Sequence, residues 1–234
     1  MLANELRSLF AFLRQPRRGH PAQLGAADLA LRILLVICTN LLVIALIAWP
    51  LQLGLEKWLG LRDAIALPSL GMFFMGVCVG PWMEELIYRA GLRNAGFVLA
   101  GQPILISLFL GQWQVALALV CVLALIGCVD MYRLKRLTPA QRFALRMERG
   151  RAFLSRYRWI VWGYAIAFGL SHVFNFAIPA NTGWLSLLVV FAVVSQTWGG
   201  LVMSYLRLRY GLASAIIFHT SFNLMCFGLD RLSS

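Results

Sequence analysis

The sequence predicts an all-α fold, a polytopic membrane helix bundle of about seven transmembrane helices preceded by an interfacial amphipathic helix. Composition and hydropathy carry this prediction. Of the 234 residues, 61% are apolar and 13% are charged, whereas soluble domains have about 45–50% and about 25%. The mean hydropathy is +0.78, and the apolar residues gather in long runs, as membrane spans require. This composition excludes an ordinary cytosolic enzyme, a disordered chain and a secreted disulfide scaffold.

The chain is strongly basic, because 21 Lys and Arg residues oppose 9 Asp and Glu residues and give a net charge of +12. In membrane proteins, basic residues collect in cytoplasmic loops and attract anionic lipid headgroups. We therefore assign the charge to membrane topology and to a bilayer with anionic headgroups, and we expect no nucleic-acid partner.

Residues 1–28 are expected to form a basic N-terminal arm with an amphipathic helix. Apolar residues recur there at helical spacing with arginines between them, namely Leu2, Leu6, Leu9, Phe10 and Leu13. Pro16 ends the run. Such a helix is expected to lie in the membrane interface. No small-residue cleavage site closes the next apolar run, which therefore predicts a retained first span rather than a signal peptide.

Residues 29–234 are expected to form a single transmembrane domain. Its apolar stretches cover residues 33–49, 67–86, 97–129, 159–178, 184–206 and 212–229. The third stretch is either one tilted span or two short spans that separate around residues 111–114. The loop over residues 133–158 is rich in arginine and contains one acid, Glu148. Two short spans place this loop on the side of the other basic regions. The positive-inside rule therefore favours seven spans, a cytoplasmic N-terminus and an external C-terminus.

A few polar residues interrupt the apolar stretches: Glu84, Glu85, Arg89, His172, Asn175, His219 and Asn223. A charge at the bilayer centre costs about 2.5–3.5 kcal/mol on insertion scales, so these residues are functional candidates. Glu85 and Arg89 are four residues apart and can pair on one helix face, which leaves Glu84 free to face a different cavity. Each residue alone also has a structural explanation, such as a stabilising pair or an interhelical hydrogen bond.

Together, a carboxylate, two imidazoles and an amide on separate helices fit peptide hydrolysis. A desolvated carboxylate can deprotonate water, and a neighbouring imidazole can hold that water. A second imidazole and an amide can donate to the oxyanion that forms when water attacks a peptide carbonyl. Ser171 and Ser221 are weaker candidates for a nucleophile. The predicted depths of the two histidines in the membrane oppose a shared site. Counted from the cytoplasmic ends of the spans, His172 lies about 14 residues into its span and His219 about seven, a difference of about 10 Å.

Three motifs occur in order along the chain: E-E-x-x-x-R from Glu84, F-x-x-x-H from Phe168 and H-x-x-x-N from His219. Over about residues 80–227, this pattern resembles the CPBP family of intramembrane endopeptidases. That family comprises CAAX proteases and proteins linked to bacteriocin processing and self-immunity, and it is also called the ABI family. The resemblance implies an all-helical intramembrane endopeptidase.

The resemblance also implies roles for individual residues. Glu84 would activate the attacking water and His172 would help to bind it. His219 and Asn223 would form the oxyanion site. Supporting roles fall to Glu85, Arg89 and Phe168, of which the last is structural.

The resemblance leaves the cofactor and the exact function open. Hydrolysis without a cofactor is favoured, with zinc as the alternative, because Glu84, His172 and His219 could make a three-ligand site with an open position. Using Glu84 as a ligand would leave no obvious base. The expected substrate is a membrane-anchored peptide or protein, and the expected location is a bacterial inner membrane. The other function classes are a proton-coupled transporter or channel and a non-catalytic immunity or partner protein.

Overall fold

The computed structural model describes residues 2–63 and 69–233, and this part of the chain is almost entirely helical. The α-helices are, in chain order, α1 Leu2–Arg14, α2 Ala26–Val43, α3 Trp49–Leu59, α4 Leu70–Phe74, α5 Gly80–Tyr88, α6 Gln102–Phe109, α7 Trp113–Lys135, α8 Pro139–Ser171, α9 Val189–Ala192, α10 Val194–Tyr210 and α11 Leu212–Ser233. π-Helical segments join α2 to α3, join α4 to α5 and precede α6: Ile44–Ala48, Met75–Val79 and Phe97–Gly101. The 3-10 segments are Ala90–Arg93, His172–Asn175 and Ala180–Leu188. Two short strands, β1 Arg62–Asp63 and β2 Phe176–Ala177, pair antiparallel.

The predicted fold class is confirmed: the protein is an all-α membrane helix bundle. Within the described residues, four helical runs are long and apolar enough to cross a membrane, namely Ala26–Leu59, Leu70–Arg93, Trp113–Lys135 and Gly183–Tyr210. Shorter apolar helices are Phe97–Phe109 and Leu212–Gly228. The count of seven spans stays a prediction. The predicted start of the second span, Leu67, lies outside the described residues.

The long third apolar stretch is divided into two helices, α6 and α7, which pack against each other. The division lies at Gly111, whose φ of 72° is a left-handed conformation that favours glycine. A turn hydrogen bond of 2.7 Å from the backbone N–H of Gln112 to the carbonyl of Ser107 closes the connection. The predicted separation around residues 111–114 is therefore present.

Much of the predicted basic loop 133–158 is helical, which corrects the expectation of a loop. α8 begins at Pro139, and Thr138 and Gln141 form a reciprocal capping box at its start. Arginine is a good helix former, so the charges do not oppose this helix. At 1.5 Å per residue, its 33 residues span about 50 Å, well beyond the roughly 30 Å hydrocarbon core. α8 therefore has room for both an arginine-rich half and an apolar half.

α10 is the centre of the bundle, and α1, α2, α8 and α11 all pack against it. Its residues from Gly200 to Leu206 are all buried. Gly200 permits a close approach, because a Cβ atom there would lie 3.2 Å from the Cα of Ala165 on α8 and 3.2 Å from Arg89 Nη2. The absence of a side chain at Gly200 thus brings α8, α10 and Arg89 together.

The N-terminal helix α1 is amphipathic as predicted, but part of its apolar face packs on protein. Leu9 and Phe12 are buried in the core, and α1 contacts α2 and α10. Glu5, which the sequence did not single out, is only 1% exposed. Its carboxylate accepts hydrogen bonds from Arg32 at 2.5 Å, Tyr205 at 2.6 Å and Tyr210 at 2.6 Å. These bonds fix α1 to the bundle.

Glu5→Gln is expected to lower the melting temperature at pH 7 by about 3–10 °C, because hydrogen bonds to a charged group contribute about 1.5–3 kcal/mol. Burial alone would raise the pKa of Glu5, but the bonds from Tyr205, Tyr210 and Arg32 lower that pKa below its usual value. The stabilisation is therefore complete above the ordinary carboxyl pKa and is lost as the pH falls through the lowered one.

Thermal unfolding in detergent between pH 3 and 7 measures this effect. The difference between the wild type and Glu5→Gln should shrink at the acidic end, whereas exposed Glu148→Gln should match the wild type throughout. A pH-independent difference would contradict the role of the charge.

Candidate active site

A cavity of about 510 Å³ lies inside the bundle. Among the residues that line it are Glu84, His172, His219 and Asn223, which are the four residues predicted to act in hydrolysis. The predicted depth difference does not keep the two histidines apart. The Phe168 ring lies 4.7 Å from the His172 ring and 5.9 Å from the His219 ring, measured between centroids. The fold therefore brings α5, α8 and α11 to one polar site.

The adjacent glutamates of α5 face different surroundings. Glu85 is fully buried, and its Oε1 accepts a 2.7 Å bond from Nη1 of Arg89, which is 1% exposed. This contact is the ion pair that the four-residue spacing indicates. Glu84 instead lines the cavity, and its side chain keeps 20% of its surface exposed. Glu84 is thus the carboxylate that a ligand in the cavity can reach.

His219 lies between the two carboxylates. Its Nδ1 is 3.1 Å from Glu85 Oε1, and its Nε2 is 3.6 Å from Glu84 Oε2. The first distance is a hydrogen bond, in which Nδ1–H donates to the carboxylate, whereas the second is too long for one. The sequence paired Glu85 with Arg89 alone. The bond to His219 joins residues 134 positions apart, so no local spacing signals it.

His172 follows the last residue of α8 and starts the 3-10 segment His172–Asn175. Its Nδ1 lies 2.8 Å from the carbonyl oxygen of Phe168. Because a carbonyl only accepts, Nδ1 carries the hydrogen and Nε2 is left as an acceptor in the neutral ring. Ser171 Oγ donates to the same carbonyl at 2.7 Å. The hydroxyl of Ser171 is therefore held by the backbone, and Nδ1 of His172 is not free to act as its base.

Phe168 connects the ion pair to the histidines. The guanidinium carbon of Arg89 lies 3.9 Å from the centre of the Phe168 ring, a cation–π contact. Tyr88 packs edge-on against the same ring at 5.3 Å. The Phe168 ring thus contacts the guanidinium of Arg89 and both imidazoles.

Asn223 joins α11 to the π-helical segment Met75–Val79. Its Nδ2 donates a 2.9 Å hydrogen bond to the carbonyl of Gly76. An amide NH₂ group has two hydrogens, so the bond to Gly76 uses one of them and does not prevent the other from donating to a ligand. The interhelical and the oxyanion interpretations of Asn223 are therefore compatible.

The cavity wall also carries polar residues that the sequence did not single out. Asn40 comes from α2, and Ser195 and Gln196 come from α10. A single amide or hydroxyl in an apolar run has many structural explanations, so no sequence signal marks these residues as part of a site. Asn175, which was on the sequence-based short list, lines the same cavity.

The zinc alternative depends on which side chains could coordinate a metal ion in the cavity. Among the described residues, no three His, Cys, Asp or Glu side chains are placed together so that they could hold a metal ion. Glu84, His172 and His219 share the cavity, but Nδ1 of each ring is bonded to Phe168 or Glu85. Only the Nε2 atoms could then coordinate, and Glu84 would no longer serve as the base.

Comparison with known proteins places this site in a family. The family model for type II CAAX prenyl endopeptidase Rce1-like proteins matches residues 66–225, which is more than half of the chain. This range contains the polar residues from Glu84 to Asn223. No curated protein and no solved structure matched the chain. The resemblance to the CAAX protease family is therefore confirmed: the chain belongs to the type II CAAX prenyl endopeptidase Rce1-like family and is a CAAX-type intramembrane peptidase.

Proposed function

We propose that the protein hydrolyses a peptide bond of a membrane-anchored protein or peptide, using a water molecule that Glu84 activates. The observation that carries this proposal is the placement of Glu84. It is the cavity-facing carboxylate beside two imidazoles, while its neighbour Glu85 is held by Arg89. Much of the remaining wall is apolar, which favours a substrate that approaches from the bilayer.

The reaction would begin with water between Glu84 and His172. Glu84 takes one proton from the water, and Nε2 of His172 accepts a hydrogen bond from the other. The water oxygen then bonds to the substrate carbonyl carbon. As the C–N bond breaks, the protonated Glu84 returns its proton to the leaving amine. The products are a new carboxyl terminus and a new amino terminus, so atoms and charge balance.

The oxyanion would be stabilised by His219 and Asn223. Because Nδ1–H of His219 donates to Glu85, an additional donor at Nε2 requires the doubly protonated ring. Because Glu85 is already paired with Arg89, the charge of that ring is balanced by Glu84 before the reaction and by the oxyanion once Glu84 holds the proton of the water. Glu85 thus acts as a positioning residue for His219, and Arg89 holds Glu85.

We also propose an orientation and a location for the protein. The arginine-rich half of α8 contains exposed side chains, including Arg146 and Arg151, and these suit a cytoplasmic membrane surface with anionic headgroups. The same side would hold the N-terminus, as in a bacterial inner membrane. In this proposal, the basic residues orient the protein in the membrane and do not bind a nucleic acid.

Metal-free hydrolysis is part of the proposal and predicts resistance to chelators. Treatment of the purified protein with EDTA or 1,10-phenanthroline should change the cleavage rate less than about twofold, because no proposed step uses a metal. The control adds zinc back to treated protein. Loss of activity that zinc restores would establish the zinc alternative instead.

The substrate can be found by comparing peptides in membranes that contain the wild type or Glu84→Gln. Mass spectrometry should detect peptides with new termini only in the wild-type sample. Equal peptide sets would contradict the proposed function, and a phenotype rescued equally by both proteins would support a non-catalytic role.

A further inference from the structure

Asn40 is a buried amide in the first apolar run, and the chemistry described above does not use it. It lies in α2, is only 1% exposed and lines the cavity that contains Glu84. Its Oδ1 has no hydrogen-bond donor among the residues that the structure describes. A buried acceptor without a donor is destabilising, because the lost hydrogen bond to water is not replaced. Asn40 therefore carries an unused hydrogen-bonding capacity at the cavity wall.

The backbone around Asn40 is tethered, while its amide group can turn. The backbone N–H of Ile44 bonds to the carbonyls of Asn40 and Leu41 where the π-helical segment Ile44–Ala48 begins. Ile44 lines the same cavity, and π-helical turns are frequent at functional sites. The terminal torsion of Asn is broad and roughly two-fold, so rotation of the amide can present Oδ1 to a cavity occupant.

We propose that Asn40 positions the substrate by accepting a hydrogen bond from a main-chain N–H of the bound peptide. A peptide that leaves water brings an N–H at nearly every residue, and each needs an acceptor. Apolar wall residues such as Phe109 and Phe222 offer none. Because α2 packs on α10 and α11, Asn40 reaches the peptide from a different wall than His172. Asn40 also lies outside residues 66–225, so the family match does not account for it.

This assignment rests on the proposed function, and a peptide that the wild type cleaves is the probe. Asn40→Leu keeps the approximate volume and removes the acceptor. It is expected to raise KM about 3- to 10-fold and to change kcat less than about twofold. Asn40→Asp retains an oxygen acceptor and should restore KM to within about threefold of the wild type. Thr39→Val removes a hydroxyl that bonds its own helix at Leu35 and is the matched control, with KM unchanged.

A series of peptides with one backbone N–H methylated at a time separates substrate binding from a structural role. In the wild type, one methylated position away from the scissile bond should raise KM. In Asn40→Leu, the same methyl group should add no further increase, because the bond is already lost. Inserted, folded protein is verified by its melting temperature in detergent.

The outcomes distinguish the two proposals. Cleavage that depends on Glu84, combined with an unchanged KM in Asn40→Leu, overturns only the role of Asn40. If Asn40→Leu raises KM by the same factor for every methylated peptide, the role of Asn40 is also overturned, since a structural defect would act in this way. Absence of any Glu84-dependent cleavage overturns the proposed function and this assignment with it.

Discussion

Glu84→Gln is expected to lower kcat by about 100- to 10,000-fold, the range that general base catalysis contributes. The amide cannot take the proton from water, yet it has almost the same shape and can still line the cavity. The affinity for the peptide should therefore change little. Stopped assays on purified protein give kcat, and binding of a labelled peptide gives Kd.

The control for Glu84→Gln is Glu148→Gln, which removes a carboxylate from the exposed part of α8 and should retain full activity. Equal kcat values for Glu84→Gln and the wild type would show that another group activates the water. A lost affinity with an unchanged kcat would instead place Glu84 in substrate binding.

Arg89→Met is expected to lower the free energy of unfolding by about 3–5 kcal/mol, because it removes the guanidinium that pairs with the buried carboxylate of Glu85. For a chain of this size, the melting temperature should fall by about 6–20 °C. The double variant Glu85→Gln/Arg89→Met removes both charges and should recover part of the loss. Thermal unfolding in detergent measures all three proteins.

Arg149→Met is the matched control, because Arg149 also forms a close ion pair, with Asp130 at 2.5 and 2.7 Å. That pair is exposed, and such pairs contribute about 0–1 kcal/mol. If Arg89→Met and Arg149→Met lowered the free energy of unfolding equally, burial of the Glu85–Arg89 pair would not have the importance that we assign to it.

The fold class and the main polar residues were predictable because both follow from local sequence. Long apolar runs define membrane helices, and a charge such as Glu84 is conspicuous in such a run. The helix break at Gly111 was also predictable, since polar residues and glycine interrupt the apolar pattern there.

Other features depend on packing that no local pattern reports. The bond between Glu85 and His219 joins distant parts of the chain, and Asn40 shows its unpaired oxygen only once its surroundings are known. Glu5 looked like one charge on an amphipathic helix, and only the positions of Arg32, Tyr205 and Tyr210 explain its burial. The loop expected before residue 158 is helical because capping at Thr138 and good helix formers outweigh the repulsion between arginines.

In the proposed reaction, water that Glu84 activates attacks the peptide bond directly, without a covalent intermediate. The most direct test is mass spectrometry of the new carboxyl terminus, formed by the wild type in ¹⁸O-labelled water with excess hydroxylamine. We predict a carboxylate with one ¹⁸O atom from the labelled water and no hydroxamate, because no acyl-enzyme forms for hydroxylamine to intercept. A hydroxamate product would contradict the account, since it would reveal a covalent intermediate on a nucleophile such as Ser171.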